Sequence, residues 1–218
     1  MPASAARRRG PPRPAKPVDE VPTGNLSELR AAAAACRRCP LWRPATQTVF
    51  GAGPARARIM LVGEQPGAQE DLAGQPFVGP AGQLLRVALE ASGLDPARLY
   101  LTNTVKHFKF EARGKRRLHQ RASAGEQAAC RPWLAAELDR LRPRMVVALG
   151  AMAGQTLLGN TFRLTMGRGQ LLPLGESDTT VVATWNPSAI LRARDPKREE
   201  MHRQLLDDLQ LAAEHVRA

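Results

Sequence analysis

Glu64 and Gln65 follow a short apolar run, Ile59-Met60-Leu61-Val62, and open a segment crowded with glycine and proline. A run of this length, bounded by Arg58 and Gly63, predicts a buried strand. In open α/β sheets ligands bind at the carboxyl ends of such strands. The segment continues through Gly67, Gly74, Gly79 and Gly82, with Pro66, Pro76 and Pro80, and carries one aromatic, Phe77. Backbone of this kind allows unusual conformations and close approach to a ligand. A carboxylate, an amide and an aromatic ring on one such loop suit a planar, hydrogen-bonding ligand such as a nucleobase. The bland alternative is a plain βα connection, but loops this long are uncommon unless functional or disordered.

A second set of chemically able residues is Cys36-Arg37-Arg38-Cys39, with Cys130 further on. The C-x-x-C spacing lets two thiolates meet one metal or cluster, and His107 is the best fourth donor. Cys3His is a zinc set, and the same set can hold an iron–sulfur cluster; spacing alone does not separate them. A lone C-x-x-C beside an unrelated buried Cys130 is the alternative. An odd count of three cysteines argues against a disulfide framework and for an intracellular setting.

The elements that must carry these residues alternate. Strands are expected over 57–63, 99–105, 145–149 and 180–185. Helices are expected from Asn25 or Ser27 to Ala35, over 82–90, from Ser123 or Gly125 to Leu141 despite Pro132, over 151–158, and from Pro196 to His215. Residues 106–124 read as a polar basic loop, and 161–174 as loop with a short edge strand. This order predicts a three-layer α/β/α fold with a four-stranded parallel sheet. The strand ends then bring Glu64 and Gln65, Asn103, Gly150, and Asn186 with Ser188 to one edge, and such convergence suggests a site.

The chain has 218 residues, 43% of them apolar, enough for one domain with a core. Residues 1–22 are expected to form a disordered basic Pro/Arg-rich tail and 23–218 the domain. Lys and Arg outnumber Asp and Glu by 32 to 20, a net charge of +12, which points to nucleic acid before anionic membrane. No run of 18 apolar residues occurs, so no membrane span is expected, and with no apolar stretch behind the basic start a secretory signal is not expected either.

The motifs are specific enough to resemble a family. Gly63-Glu64-Gln65-Pro66-Gly67, Asp71 and Gly74-Gln75-Pro76-Phe77-Val78-Gly79-Pro80-Ala81-Gly82 resemble the first motif of bacterial iron–sulfur uracil-DNA glycosylases. Thr102-Asn103-Thr104-Val105-Lys106 resembles their second, and Thr184-Trp185-Asn186-Pro187-Ser188 their third, where His-Pro-Ser is usual. Lys115-Arg116-Arg117-Leu118-His119 resembles the Lys-Arg-Arg-Ile-His insert of the UdgX branch, which becomes joined to uracil-containing DNA. The resemblance runs from Cys36 to the C-terminus. It implies a 4Fe–4S cluster on Cys36, Cys39, His107 and Cys130, and a monomeric bacterial cytoplasmic enzyme acting on uracil-containing DNA, single strands preferred.

In that setting Phe77 stacks on the flipped base, and the Asn103 amide reads uracil O4 and N3–H. Gly63, Gln65 and Ser188 complete the base site. Glu64 stabilises positive charge at C1′, and Asn186 donates to uracil O2. His119 traps C1′ in place of water. Without the family, His119 reads as a loop histidine touching phosphate. Lys115, Arg116, Arg117 and Arg192 are expected on the DNA backbone. Two other readings stand beside this one: a conventional water-using glycosylase, and an iron–sulfur protein that binds uracil-DNA without excising it. A zinc-stabilised DNA-binding module is a fourth.

Overall fold

The computed structural model describes residues 20–114 and 116–217. The expected basic tail therefore lies almost wholly outside the described residues, and Lys115 lies outside them too.

The chain begins with α1 (Leu26–Ala33), capped reciprocally by Asn25 and Glu28. Then come β1 (Ile59–Gly63), α2 (Ala68–Ala73), α3 (Pro80–Ala91) and β2 (Tyr100–Asn103). A hairpin follows, β3 (Phe110–Arg113) and β4 (Arg116–His119), then α4 (Ala124–Leu141), β5 (Met145–Leu149) and α5 (Ala151–Leu158). The chain closes with α6 (Leu164–Gly167), β6 (Leu171–Pro173), β7 (Thr180–Thr184), α7 (Pro187–Arg192) and α8 (Lys197–Arg217).

The central sheet has five strands in the order β2-β1-β5-β7-β6, not the expected four. Four are parallel, and β6 adds antiparallel to β7. It is only three residues long and ends at Pro173, which has no N–H for a further ladder; such strands belong at edges. Both sheet faces are covered, as the uniformly buried β1 and β5 require. Ile59 and Leu61 pack with Leu85, Leu89, Leu205 and Leu209 of α3 and α8. Met60 and Val62 point the other way, toward Leu134, Leu141 and Ala153 of α4 and α5. Among the described residues no helix is long and apolar enough to cross a membrane.

Two stretches expected as loop are ordered. Residues 106–124 contain the antiparallel hairpin, with Phe110 opposite His119 and Arg113 opposite Arg116. Gly114, at φ 58°, supplies the left-handed turn residue it needs. The glycine segment after Gly67 contains α2, and Pro187 starts α7 just where Asn186-Pro187 reads as a break.

Candidate active site

The carboxyl ends of β1 and β2 meet in parallel register, Gly63 beside Asn103. A Cβ on Gly63 would lie 2.3 Å from Asn103 Oδ1 and 2.7 Å from Phe77 Cζ. Only a residue without a side chain lets the amide and the ring close on the same backbone. Phe77 takes a positive φ of 58°, an unusual conformation for a bulky residue. Its carbonyl oxygen would lie 1.8 Å from a Cβ at position 82, so Gly82 is required there. The loop is held shut by Glu70, whose carboxylate accepts from Gly67 N–H at 3.1 Å and Gly79 N–H at 2.7 Å.

Asn103 is buried. Its carbonyl accepts from Lys106 Nζ at 2.7 Å. That ammonium also reaches Thr102 Oγ1 and pairs with Glu137 at 2.5 Å, both charged side chains being fully buried. Glu137 Oε1 accepts in turn from Gly51 N–H, the Tyr100 hydroxyl and the Thr102 hydroxyl. Burial and the neighbouring Glu137 carboxylate push the Tyr100 phenol upward, which keeps it a donor.

His119, at the end of β4, comes to the same edge. Gln65 Nε2 lies within 3.2 Å of three acceptors: Lys109 O, Gln120 O and His119 Nε2. Backbone carbonyls only accept, so the amide nitrogen faces them, and His119 must present an unprotonated Nε2 to it. The ring proton then sits on Nδ1. Partial burial pushes the imidazole below its ordinary range, against the pull of the Glu64 carboxylate and with help from Arg192. Glu64 and Arg192 thus act on His119 through space, while the hydrogen-bonded partner is Gln65.

The hairpin that carries His119 is bolted down by Arg117. Its guanidinium binds the fully buried Asp71 carboxylate at 2.6 Å and Ala68 O at 3.0 Å. It also lies over the stacked rings of Phe108 and Phe110. Arg117 is therefore spent inside the protein, unlike the exposed Arg116. Asp71 also accepts from Thr46 N–H at 2.9 Å.

Asn186 sits at the end of β7. Its Oδ1 accepts from Ser188 N–H at 2.9 Å, capping α7, and its Nδ2 donates to Leu149 O at 3.3 Å. One amide hydrogen remains for a ligand. Arg192, at the end of α7, is exposed.

Cys36, Cys39 and Cys130 share one buried cluster with Val105, Trp133 and Met152. Two sulfurs receive hydrogen bonds at 3.2 Å: Cys36 from the Trp133 indole N–H and Cys130 from Lys106 N–H. Burial pushes the Cys130 thiol up to about 12 and also raises Cys39. His107 is buried and pushed down to about 4, so its ring is neutral. The Thr48 hydroxyl gives its hydrogen to Ala33 O, so at 2.9 Å it accepts from His107 Nε2–H, leaving the lone pair on Nδ1. Among the described residues no three His, Cys, Asp or Glu side chains gather closely enough to grip one metal ion. A single zinc needs all its ligands within about 2.3 Å; a cluster with one ligand per iron spreads them more widely. Buried thiols with N–H donors aimed at the sulfurs suit the latter.

The sequence pointed to Glu64, Gln65, Phe77, Asn103, His119 and Asn186, and the fold brings them to one edge. It did not point to Glu70, to the Arg117–Asp71 pair, to Lys106 with Glu137, or to Gln65 as the partner of His119. Each depends on contacts between distant segments.

Residues 50–210 match the Uracil DNA glycosylase superfamily. The chain is 36% identical over 184 residues to the Type-4 uracil-DNA glycosylase of Thermotoga maritima, covering 84% of this chain and 90% of that protein. It is 33% identical over 174 residues to the Type-4 uracil-DNA glycosylase of Pyrobaculum aerophilum, covering 77% and 85%. A Type-5 uracil-DNA glycosylase from the same organism is 29% identical over 180 residues, covering 76% of each chain.

Proposed function

Because the chain belongs to the uracil-DNA glycosylase superfamily, we propose that it excises uracil from DNA and takes the UdgX-like course, in which His119 captures the deoxyribose. Residues 23–218 act as the glycosylase domain. The observation that carries the capture step is the pairing of a neutral His119, Nε2 lone pair at 3.0 Å from Gln65, with Glu64 at the same strand edge.

Phe77 and Asn103 take the flipped uracil against Gly63. The C1′–N1 bond breaks and its electron pair leaves on uracil, where the free Asn186 amide hydrogen meets O2. Glu64 stabilises the cation left at C1′. His119 Nε2 gives up its hydrogen bond from Gln65 and donates the freed lone pair to C1′, and the Nδ1 proton is lost, through Glu64 or solvent, to the departing uracil. One protein is consumed per site.

Cys36, Cys39, Cys130 and His107 through Nδ1 would hold a 4Fe–4S cluster, which supplies structural cross-linking of α1, the segment after β2, and α4. The purified protein should then carry iron and sulfide and absorb visible light; a colourless zinc protein would remove this part of the reading.

The test is a denaturing gel after mixing the protein with a uracil-containing single strand, with His119→Ala alongside. A shifted band that vanishes in the variant is expected. An alkali-labile abasic site without a shifted band would instead mean a conventional glycosylase, and neither product would mean a binder.

A further inference from the structure

The edge of the sheet opposite this site carries an unexplained concentration of positive charge. Arg58 immediately precedes β1 and Arg144 immediately precedes β5, so both sit at the amino ends of adjacent parallel strands, with Met145 N–H donating to Arg58 O. Arg56, Arg140 and Arg142 join them around one groove of about 430 Å³. All five guanidinium side chains are exposed, and no carboxylate lines the groove. Among the described residues none of the five has an ion-pair partner. Acidic residues line only the flanking concavities: Asp139, Glu176 and Asp178 beside Arg142 and Arg144 on one side, and Asp95 beside Arg56 and Arg58 on the other. The carboxyl end of α4 favours one cation through its dipole, which accounts for Arg140 but not for five.

Arg142 supplies an independent observation. It caps α4 in the left-handed conformation, φ 45° and ψ 57°, a position where glycine is free of strain and an L side chain is not. A guanidinium is held there at a conformational cost, and strained backbone gathers at functional sites. Residues 1–19 carry Arg7, Arg8, Arg9, Arg13 and Lys16 against one acid, Asp19, so their charge does not complement the groove.

We propose that this groove is a second nucleic-acid contact, holding backbone phosphates of an unpaired strand on the far edge of the domain. The anion chemistry stands on the arginines alone; the choice of DNA as its source rests on the uracil-DNA reading above. Six residues of β1 and its flanks separate Arg58 from Glu64, about 20 Å at the strand rise. A duplex is too stiff to turn from one edge to the other, whereas an unpaired strand follows the surface.

The test uses the full chain and a uracil-free single strand of about 40 nucleotides, several binding footprints long, with affinity measured against salt. Each phosphate neutralised on a single strand adds about 0.7 to the log–log slope. Arg56→Ser/Arg142→Gly/Arg144→Ser is therefore expected to lower the slope by about 2. Reaction with a uracil-containing strand of about 6 nucleotides, near one footprint, is expected to be unchanged. Arg142→Gly alone should keep or raise the melting temperature while weakening binding to the long strand, which separates charge loss from unfolding. An unchanged slope in the triple variant overturns the proposal, leaving solvated surface charge. So does an equal loss on the short strand, which would place the effect at the uracil edge. A wild-type protein inert on the short strand would count against uracil excision while leaving the salt measurement intact.

Discussion

Gln65 Nε2 lies 3.0 Å from His119 Nε2 and 3.0 Å from Gln120 O, so one amide holds both the imidazole and the backbone just beyond it. The residue next to the carboxylate of the first motif is thereby the support of a histidine 54 positions away. Gln65→Ala should lower the rate of covalent capture about tenfold, the scale of one lost neutral hydrogen bond. Release of free uracil should fall much less. Quantifying adduct and free uracil in the same reaction checks this; equal losses would mean Gln65 serves the base and not the histidine.

The pH response follows from the direction of the His119 shift. Its ordinary value is 6.5, and the folded protein holds it lower. The neutral, nucleophilic form thus persists below pH 6.5, and capture fails only when the pH falls through the depressed value. Single-turnover adduct formation should be flat from mildly alkaline pH through about 6.5 and decline only further down, as the pH falls through the depressed value. An inflection above the ordinary value would show that the ring is not shielded in solution.

Arg117→Ala removes the ion pair to the buried Asp71 and the cation over Phe108 and Phe110. The guanidinium is partly exposed, so the cost should be about 1–3 kcal/mol, less than for a fully buried pair. The hairpin would loosen, and capture should suffer more than uracil release. Arg116→Ala, on the exposed face of the same strand, should leave stability unchanged and only weaken DNA binding in a salt-dependent way; denaturant melts of the two variants make the comparison.

At position 186 two effects oppose each other. Asn186 Oδ1 caps α7 through Ser188 N–H, so Asn186→His should lose about 1 kcal/mol of stability. The longer imidazole would supply a better donor to uracil O2, and excision should accelerate about 10- to 100-fold. Single-turnover uracil release measures it. No acceleration would mean that position 186 carries little of the leaving-group stabilisation.

Glu137→Gln leaves the Lys106 ammonium in the interior without its counter-charge. A loss of about 3–5 kcal/mol is expected. Lys106→Met combined with Glu137→Gln should recover part of it, because no lone charge is then buried. Since Lys106 Nζ holds the backbone carbonyl of Asn103 and so the placement of its amide, the single variant should also weaken discrimination of uracil from cytosine. Stability with intact discrimination would detach this pair from base reading.

Much of the molecule was written locally. The apolar runs of β1, β5 and β7 predict buried parallel strands because each residue is itself apolar on both faces of the pleat. Asn25 and Ser123 announce their helices because capping is settled within three residues. Glu64, Phe77 and Asn103 could be named because strand ends and glycine spacing lie along the chain, whereas His119 is named only by the resemblance of its insert. Pro187 is equally local: it ends the strand before it and opens α7 from the first position.

Other features required distant segments to meet. The short edge strand expected within 161–174 joins the sheet as a fifth member because β7 offers β6 an edge. The hairpin orders because Arg117 reaches Asp71 across 46 residues. Lys106 is tolerable in the interior only because Glu137, 31 residues on, is buried with it. Even the tautomer of His119 is set by Gln65 and two backbone carbonyls from other segments. The sequence by itself determined the strands, the caps and the candidate side chains at the strand ends, since those follow from neighbours within a turn or two. The tertiary structure decided which charges are spent on holding the protein together and which remain for DNA, because an ion pair depends on distance through space and not along the chain.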